Sequence, residues 1–106
     1  MKTGSLDQRV TVERLSVGVD EIGQPYSIWA ALVTVWAAVE PLSGREYIAA
    51  MSAQSEVTTR IRLRYRPGIT SADRVNHEGT LYNITSVIDY KSRNHELVLM
   101  CKAQPA

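Results

Sequence analysis

The sequence holds no phenylalanine and a single cysteine, Cys101. A lone cysteine cannot close an internal disulfide, so the fold cannot rest on oxidation and a reducing cytosol is the expected place of synthesis. Aromatic bulk must come from Trp29, Trp36 and five tyrosines. No apolar stretch of signal-peptide length follows the start, and no run approaches the roughly 20 residues that cross a bilayer. No membrane is therefore expected among the partners. An excess of charge is missing too: 12 basic against 11 acidic residues leave a formal net charge of +1. Bulk electrostatics then singles out neither nucleic acid nor membrane, and any charge-based role needs local clustering.

The signatures of catalysis are also lacking. No Gly-x-Ser-x-Gly elbow, phosphate-binding Gly-rich loop or His-Glu-x-x-His occurs, and no pair of carboxylates stands out for acid–base work. His77 and His95 fall at turns or strand starts, with no metal-ligand spacing to Cys101 or a carboxylate. They read as solvated turn residues. Cys101 lies in the most apolar run of the chain and reads as an inert core thiol. Ser43-Gly44 invites a nucleophile reading, but a capping role explains Ser43 more simply. No enzyme activity and no cofactor are expected.

What is present is a succession of short alternating segments. The chain's 106 residues have the size of one domain, residues 1–106, with one modest core. Arg9 to Leu15 alternates as a half-buried strand. Ser16 to Pro25 carries Gly18, Asp20, Gly23 and Pro25 and reads as a long mobile loop. Ser27 to Glu40 reads as extended, its valines on one face and Trp36 on the other, a face expected to be covered as well. Pro41 ends that strand. Ser43 and Glu46 have the spacing of a capping box, flanked by Leu42 and Tyr47 at the staple positions. A short Ala-rich helix from Gly44 to about Ser55 follows, with a narrow stripe of Tyr47, Ile48, Met51 and Ser55. Val57 to Arg66 is the clearest strand, with Thr59, Ile61, Leu63 and Tyr65 on one face and Arg60, Arg62, Arg64 and Arg66 on the other. Pro67-Gly68 is a turn, and Asp73 to Asn76 a brief strand. His77-Glu78-Gly79 is a hairpin connection, Leu81 to Asp89 a strand, and Lys91 to Asn94 a polar turn. His95 to Lys102 is apolar on both faces, as in a barrel wall covered by the helix or by a neighbouring subunit. The pattern predicts a mainly β fold: a small antiparallel β-barrel or sandwich with one short inserted helix and a long loop.

Two features carry functional interest. The arginine stripe, Arg60, Arg62, Arg64 and Arg66, is either a solvent face that resists edge-to-edge aggregation or a surface turned toward DNA or an acidic partner. The helix with its flank, Ser43, Arg45, Glu46, Tyr47, Ile48 and Met51, is too weakly amphipathic to stand alone. It is either a plug for one end of the barrel or an arm that docks on a neighbouring subunit.

Three stretches, in order, resemble the head–tail joining (head closure, or stopper) proteins of long-tailed phages. The first runs from Gly4 to Arg14 and on through the turn-rich Asp20 to Pro25. The second is Thr34 to Tyr47, with its Trp36-Ala37…Glu40-Pro41-Leu42-Ser43-Gly44-Arg45-Glu46 core. The third is Thr59 to Ile69, with Asp73-Arg74-Val75 and Tyr82-Asn83-Ile84 after it. The likeness covers nearly the whole chain, and the Trp36 to Glu46 block is its most specific part. The Ala30-Ala31-Leu32 run departs from it.

The resemblance implies a small β-barrel with an inserted arm. It also implies a homo-oligomeric ring, usually twelve-fold, stacked below the portal and its adaptor at the head–tail interface of the virion. Such a ring closes the DNA exit and docks tail-terminator or other tail proteins. A lumenal contact with double-stranded DNA through the arginine stripe is left open, although a passage for DNA should not grip it, which favours a subunit contact. Competing readings are a neighbouring connector role such as tail completion, an oligonucleotide-binding barrel using Arg60, Arg62, Arg64 and Tyr82 or Tyr90, and an unknown hydrolase.

Overall fold

The structure, a computed structural model, describes residues 6–52, 56–89 and 95–104. Its elements are β1 (Gln8–Val19), β2 (Pro25–Pro41), α1 (Gly44–Ser52), β3 (Thr59–Arg64), β4 (Arg74–His77), β5 (Thr80–Asp89) and β6 (Glu96–Ala103). The six strands form one closed antiparallel barrel in the order β1-β2-β3-β6-β5-β4. The short ladder of Thr11, Val12 and Glu13 against Asn76, Val75 and Arg74 joins the last strand to the first. The expectation of a mainly β barrel with one short helix is met. Tyr90, the polar turn at 91–94 and the Ser55 end of the helix lie outside the described residues.

Period-two alternation decides which side chains point inward. Val10 and Val12 of β1, Ile61 and Leu63 of β3, Val75 of β4, and Leu99 and Cys101 of β6 are almost fully buried inside the barrel. Val33, Val35, Val39, Tyr82 and Val87 pack around them at half burial. Deleting a buried leucine side chain from such a core costs about 2–5 kcal/mol, so these positions define the fold. The β4–β5 connection is a two-residue turn in which Glu78 (φ 52°) and Gly79 (φ 91°) both take positive φ, the conformation that matches strand twist. The Gly79 N–H donates to Asn76 Oδ1 at 2.9 Å.

The segment read as a long loop is strand. β1 continues to Val19 and β2 begins at Pro25, with paired residues in register from Glu13↔Ala31 out to Val19↔Pro25. Only Asp20 to Gln24 turn. The Asp20 carboxylate accepts from the Ile22 N–H (3.0 Å) and the Gln24 N–H (2.8 Å). The Asp20 carbonyl accepts from the N–H of Gly23, whose φ is 85°. The turn residues Asp20 and Gly23 were legible, but Val17 and Val19, on either side of Gly18, extend the ladder. A bulge between Val12 and Glu13 leaves Leu32 as the extra residue, at the Ala-Ala-Leu departure noted above. Past Glu13, β1 loses β4 as a neighbour, and β2 meets β3 only from Ala37 onward. The outer half of the hairpin is therefore a two-stranded arm, along a molecule 51 Å in its longest extent against 30 and 26 Å in the others.

Candidate interaction surfaces

The arginine stripe divides in two. The Arg60 Nε donates to Glu40 Oε1 at 3.1 Å and its Nη1 to Glu46 Oε2 at 2.6 Å. The Arg62 Nε and Nη2 grip both oxygens of Glu40 at 3.0 Å, and its Nη1 reaches Glu96 Oε1 at 3.1 Å. Two cations and three carboxylates thus alternate across β2, α1, β3 and β6. Hydrogen bonds from Arg62 and Arg60, against a smaller opposing cost of burial, hold the Glu40 carboxyl below its ordinary range. The row of like charges is tolerated because it is interleaved with opposite charge from neighbouring strands. Sequence reasoning missed Glu40 and Glu96. Register supplies them: Glu40 pairs with Arg60, and Glu96 with Arg64. The same register answers how β6 is covered on its outer face, since Val98 stands opposite Arg62 and Met100 opposite Arg60, placing the arginine stems over it.

Arg64 and Arg66 behave differently. Both are exposed, and neither has a carboxylate within ion-pair distance among the described residues. They flank Trp36, which is 52% exposed rather than covered as expected. The Arg9 guanidinium stacks 4.9 Å above the Trp36 ring. Tyr65, read on the same strand face as Ile61 and Leu63, lies just past the end of β3 and is exposed, unlike those two. Arg9, Trp36, Arg64, Tyr65 and Arg66 line an open groove of about 340 Å³, continuous through Trp36 and Arg64 with a second of about 450 Å³ reaching Leu6 and Asp7.

The capping box forms as the spacing predicts. The Ser43 N–H donates to Glu46 Oε1 at 3.1 Å and the Glu46 N–H to Ser43 Oγ at 3.2 Å. These bonds, with the Arg60 contact, lower the Glu46 carboxyl below its ordinary range. The helix does not plug the barrel. Tyr47, Ile48 and Met51 are 45%, 67% and 51% exposed, and Arg45 is exposed as well. Its first turn is tied down through Glu46 and Arg60, while its apolar stripe finds no cover among the described residues.

A third feature braces the hairpin arm at its root. The Arg14 guanidinium makes a two-pronged contact with Asp73, Nε to Oδ1 at 2.9 Å and Nη2 to Oδ2 at 3.0 Å, and also reaches the Gly68 carbonyl. Burial raises the Asp73 carboxyl, but the bonds from Arg14 and the Thr70 N–H outweigh it and leave the group below its ordinary range. On the other face, Glu13 accepts from Arg74 at 2.7 Å, and the Arg74 guanidinium stacks 4.2 Å over Trp29.

Cys101 is fully buried, and burial pushes its thiol up to about 12. His77 Nε2 lies 3.0 Å from Gln8 Oε1, and His95 is exposed. Tyr82, a candidate stacking residue, packs against the core. Among the described residues no cluster of His, Cys, Asp and Glu is arranged for a metal ion, and no helix is long and apolar enough to cross a membrane.

The head completion protein gp7 of Enterobacteria phage HK97 is 25% identical over 107 residues, spanning 96% of each chain. The solution structure of protein SF1141 from Shigella flexneri 2a superposes with a TM-score of 0.78 at 26% identity, covering 97% of this chain and 96% of that one. A chain in the virion of a native gene transfer agent particle shares the fold, with a TM-score of 0.63 at 19% identity over 95% of this chain and 97% of that one. Residues 1–104 match the phage head completion protein family, so this chain belongs to that family.

Proposed function

We propose that the chain is one subunit of a connector ring that closes the DNA-filled head below the portal and its adaptor and offers the tail its docking surface. The observation that carries this reading is α1. A capped helix whose Tyr47, Ile48 and Met51 lie open is marginal by itself and gains its cover when another subunit packs on it. A ring needs heterologous surfaces that close on rotation, and an exposed helix on one strand connection supplies one. The partners are further copies of the chain, twelve in the ring that the resemblance implies, then the portal adaptor and the tail-terminal proteins. The internal neutralisation of Arg60 and Arg62 suits a wall beside DNA that must pass without being gripped, since affinity for a duplex grows with the number of phosphates neutralised.

The test is electron microscopy of lysates from a phage whose copy of this gene carries a stop codon. Finished tails beside heads that packaged and then lost their DNA are the expected result. Normally joined particles would remove the connector role. Filled, stable heads without tails would move the protein to a later joining step.

A further inference from the structure

The hairpin arm and the Trp36 groove are left unexplained by the role of α1, and their chemistries match. From Leu15 to Val39 the only charged residues are Asp20 and Glu21, and both stand at the tip of the arm. Around them the arm is apolar and open: Val17, Val19 and Ile22 are 71%, 65% and 82% exposed. Along the outer half of the arm both strand edges are unpaired among the described residues, a combination that invites association. The arm is nevertheless held in one shape. Its tip is fixed by the Asp20 turn, and its root by Arg14–Asp73 on one face and Glu13–Arg74–Trp29 on the other. Tyr26 lies across the space where Gly18 has no side chain; a Cβ there would stand 2.7 Å from Tyr26 Oη.

The groove is the complement. Arg9, Arg64 and Arg66 surround exposed Trp36 and Tyr65, and Asp7 at the far edge is the one acidic residue of the lining among the described residues. The arm cannot reach it within one molecule. The tip lies about ten residues along the strands from the Trp36 level, roughly 30 Å at the strand rise, and a braced hairpin does not fold back on itself. We infer that the acidic, apolar tip of the β1–β2 arm of one copy seats in the Arg9–Trp36–Arg64 groove of the next copy. The contact is head-to-tail, so each subunit gives an arm and receives one, the arrangement that propagates around a ring. This inference rests on the ring reading above and assigns its lateral contact to these two surfaces.

The buried native thiol of Cys101 leaves introduced cysteines as the reactive ones. Ile22→Cys at the tip and Thr34→Cys in the groove, combined in the full chain and built into phage particles, are expected to give a ladder of cross-linked adducts beyond the dimer. Either substitution alone gives none. Charge reversal adds a second readout that spares the core: Asp20→Lys with Glu21→Lys, or Arg64→Glu with Arg66→Glu, is expected to lower infectious titre about tenfold or more by placing like charges together. Combining the two reversals restores it. Cross-linking of Ile22→Cys to another virion protein, or of the groove to DNA, overturns the inference. So does a titre untouched by either reversal. Electron microscopy of the same particles separates the levels: a ring at the neck without arm cross-links keeps the ring and loses this contact, whereas particles with no ring lose the ring reading as well.

Discussion

Arg62→Leu tests whether half of the arginine stripe holds the fold. Leucine keeps the apolar stem opposite Val98 and removes only the guanidinium. That guanidinium bonds both oxygens of Glu40 and one of Glu96, whose side chain is 5% exposed. A hydrogen bond to a charged group contributes about 1.5–3 kcal/mol, and stripping the partner from a buried ion costs about 3–5 kcal/mol. Arg62 is 23% and Glu40 34% exposed, and Glu40 keeps Arg60, so solvent screening cuts that range. The expected loss is about 2–3 kcal/mol, or a fall in Tm of about 10 °C for a chain of this size. Arg64→Leu, at an exposed position with no carboxylate partner among the described residues, should change stability by less than about 0.5 kcal/mol. Urea unfolding followed by far-UV circular dichroism measures both. Adding Glu96→Gln to Arg62→Leu should cost less than the sum of the two single changes, because they share one contact. Equal effects of Arg62→Leu and Arg64→Leu would refute the division of the stripe into a structural pair and a free pair.

Leu63→Ala empties a fully buried site in the barrel and should cost about 2–5 kcal/mol in the same unfolding experiment. Ser43→Ala removes one arm of the capping box and should raise amide hydrogen exchange in the first turn of α1, about 0.5–2 kcal/mol of local stability, with the barrel amides unchanged. The carboxyls of Glu40 and Asp73 are lowered from 4.5 and 3.8. Their contribution is therefore complete above those unfolded values and is lost as the pH falls through the lower folded ones. Stability should thus drop below about pH 4.5, and Asp73→Asn should flatten that drop in a pH series of Tm values. Cys101, buried with its thiol at about 12, should resist an aromatic disulfide reagent in the native protein at neutral pH and react fully in denaturant; rapid native labelling would contradict its burial.

Much of this protein was legible from residue order. Alternation placed Val10, Val12, Ile61 and Leu63 inside, and Ser43 with Glu46 marked the helix start, because both signals are local. Strand periodicity depends only on the backbone, and a cap joins residues three apart. Local signals failed where partners are distant in sequence. Ser16 to Pro25 reads as loop because Gly18, Asp20, Gly23 and Pro25 crowd it, yet pairing with Ser27 and Ile28 carries the strand through Gly18. The stripe of Arg60 and Arg62 reads as a bare cationic face because its counter-charges, Glu40 and Glu96, arrive from β2 and β6. What the sequence by itself determined is the strand set, the inward faces, the capped helix and the family likeness. The tertiary structure alone decided which arginines are neutralised, that the helix stripe and Trp36 stay uncovered among the described residues, and that the hairpin projects beyond the barrel. Each of those depends on register between strands far apart in the chain, and closure of the barrel is what sets that register.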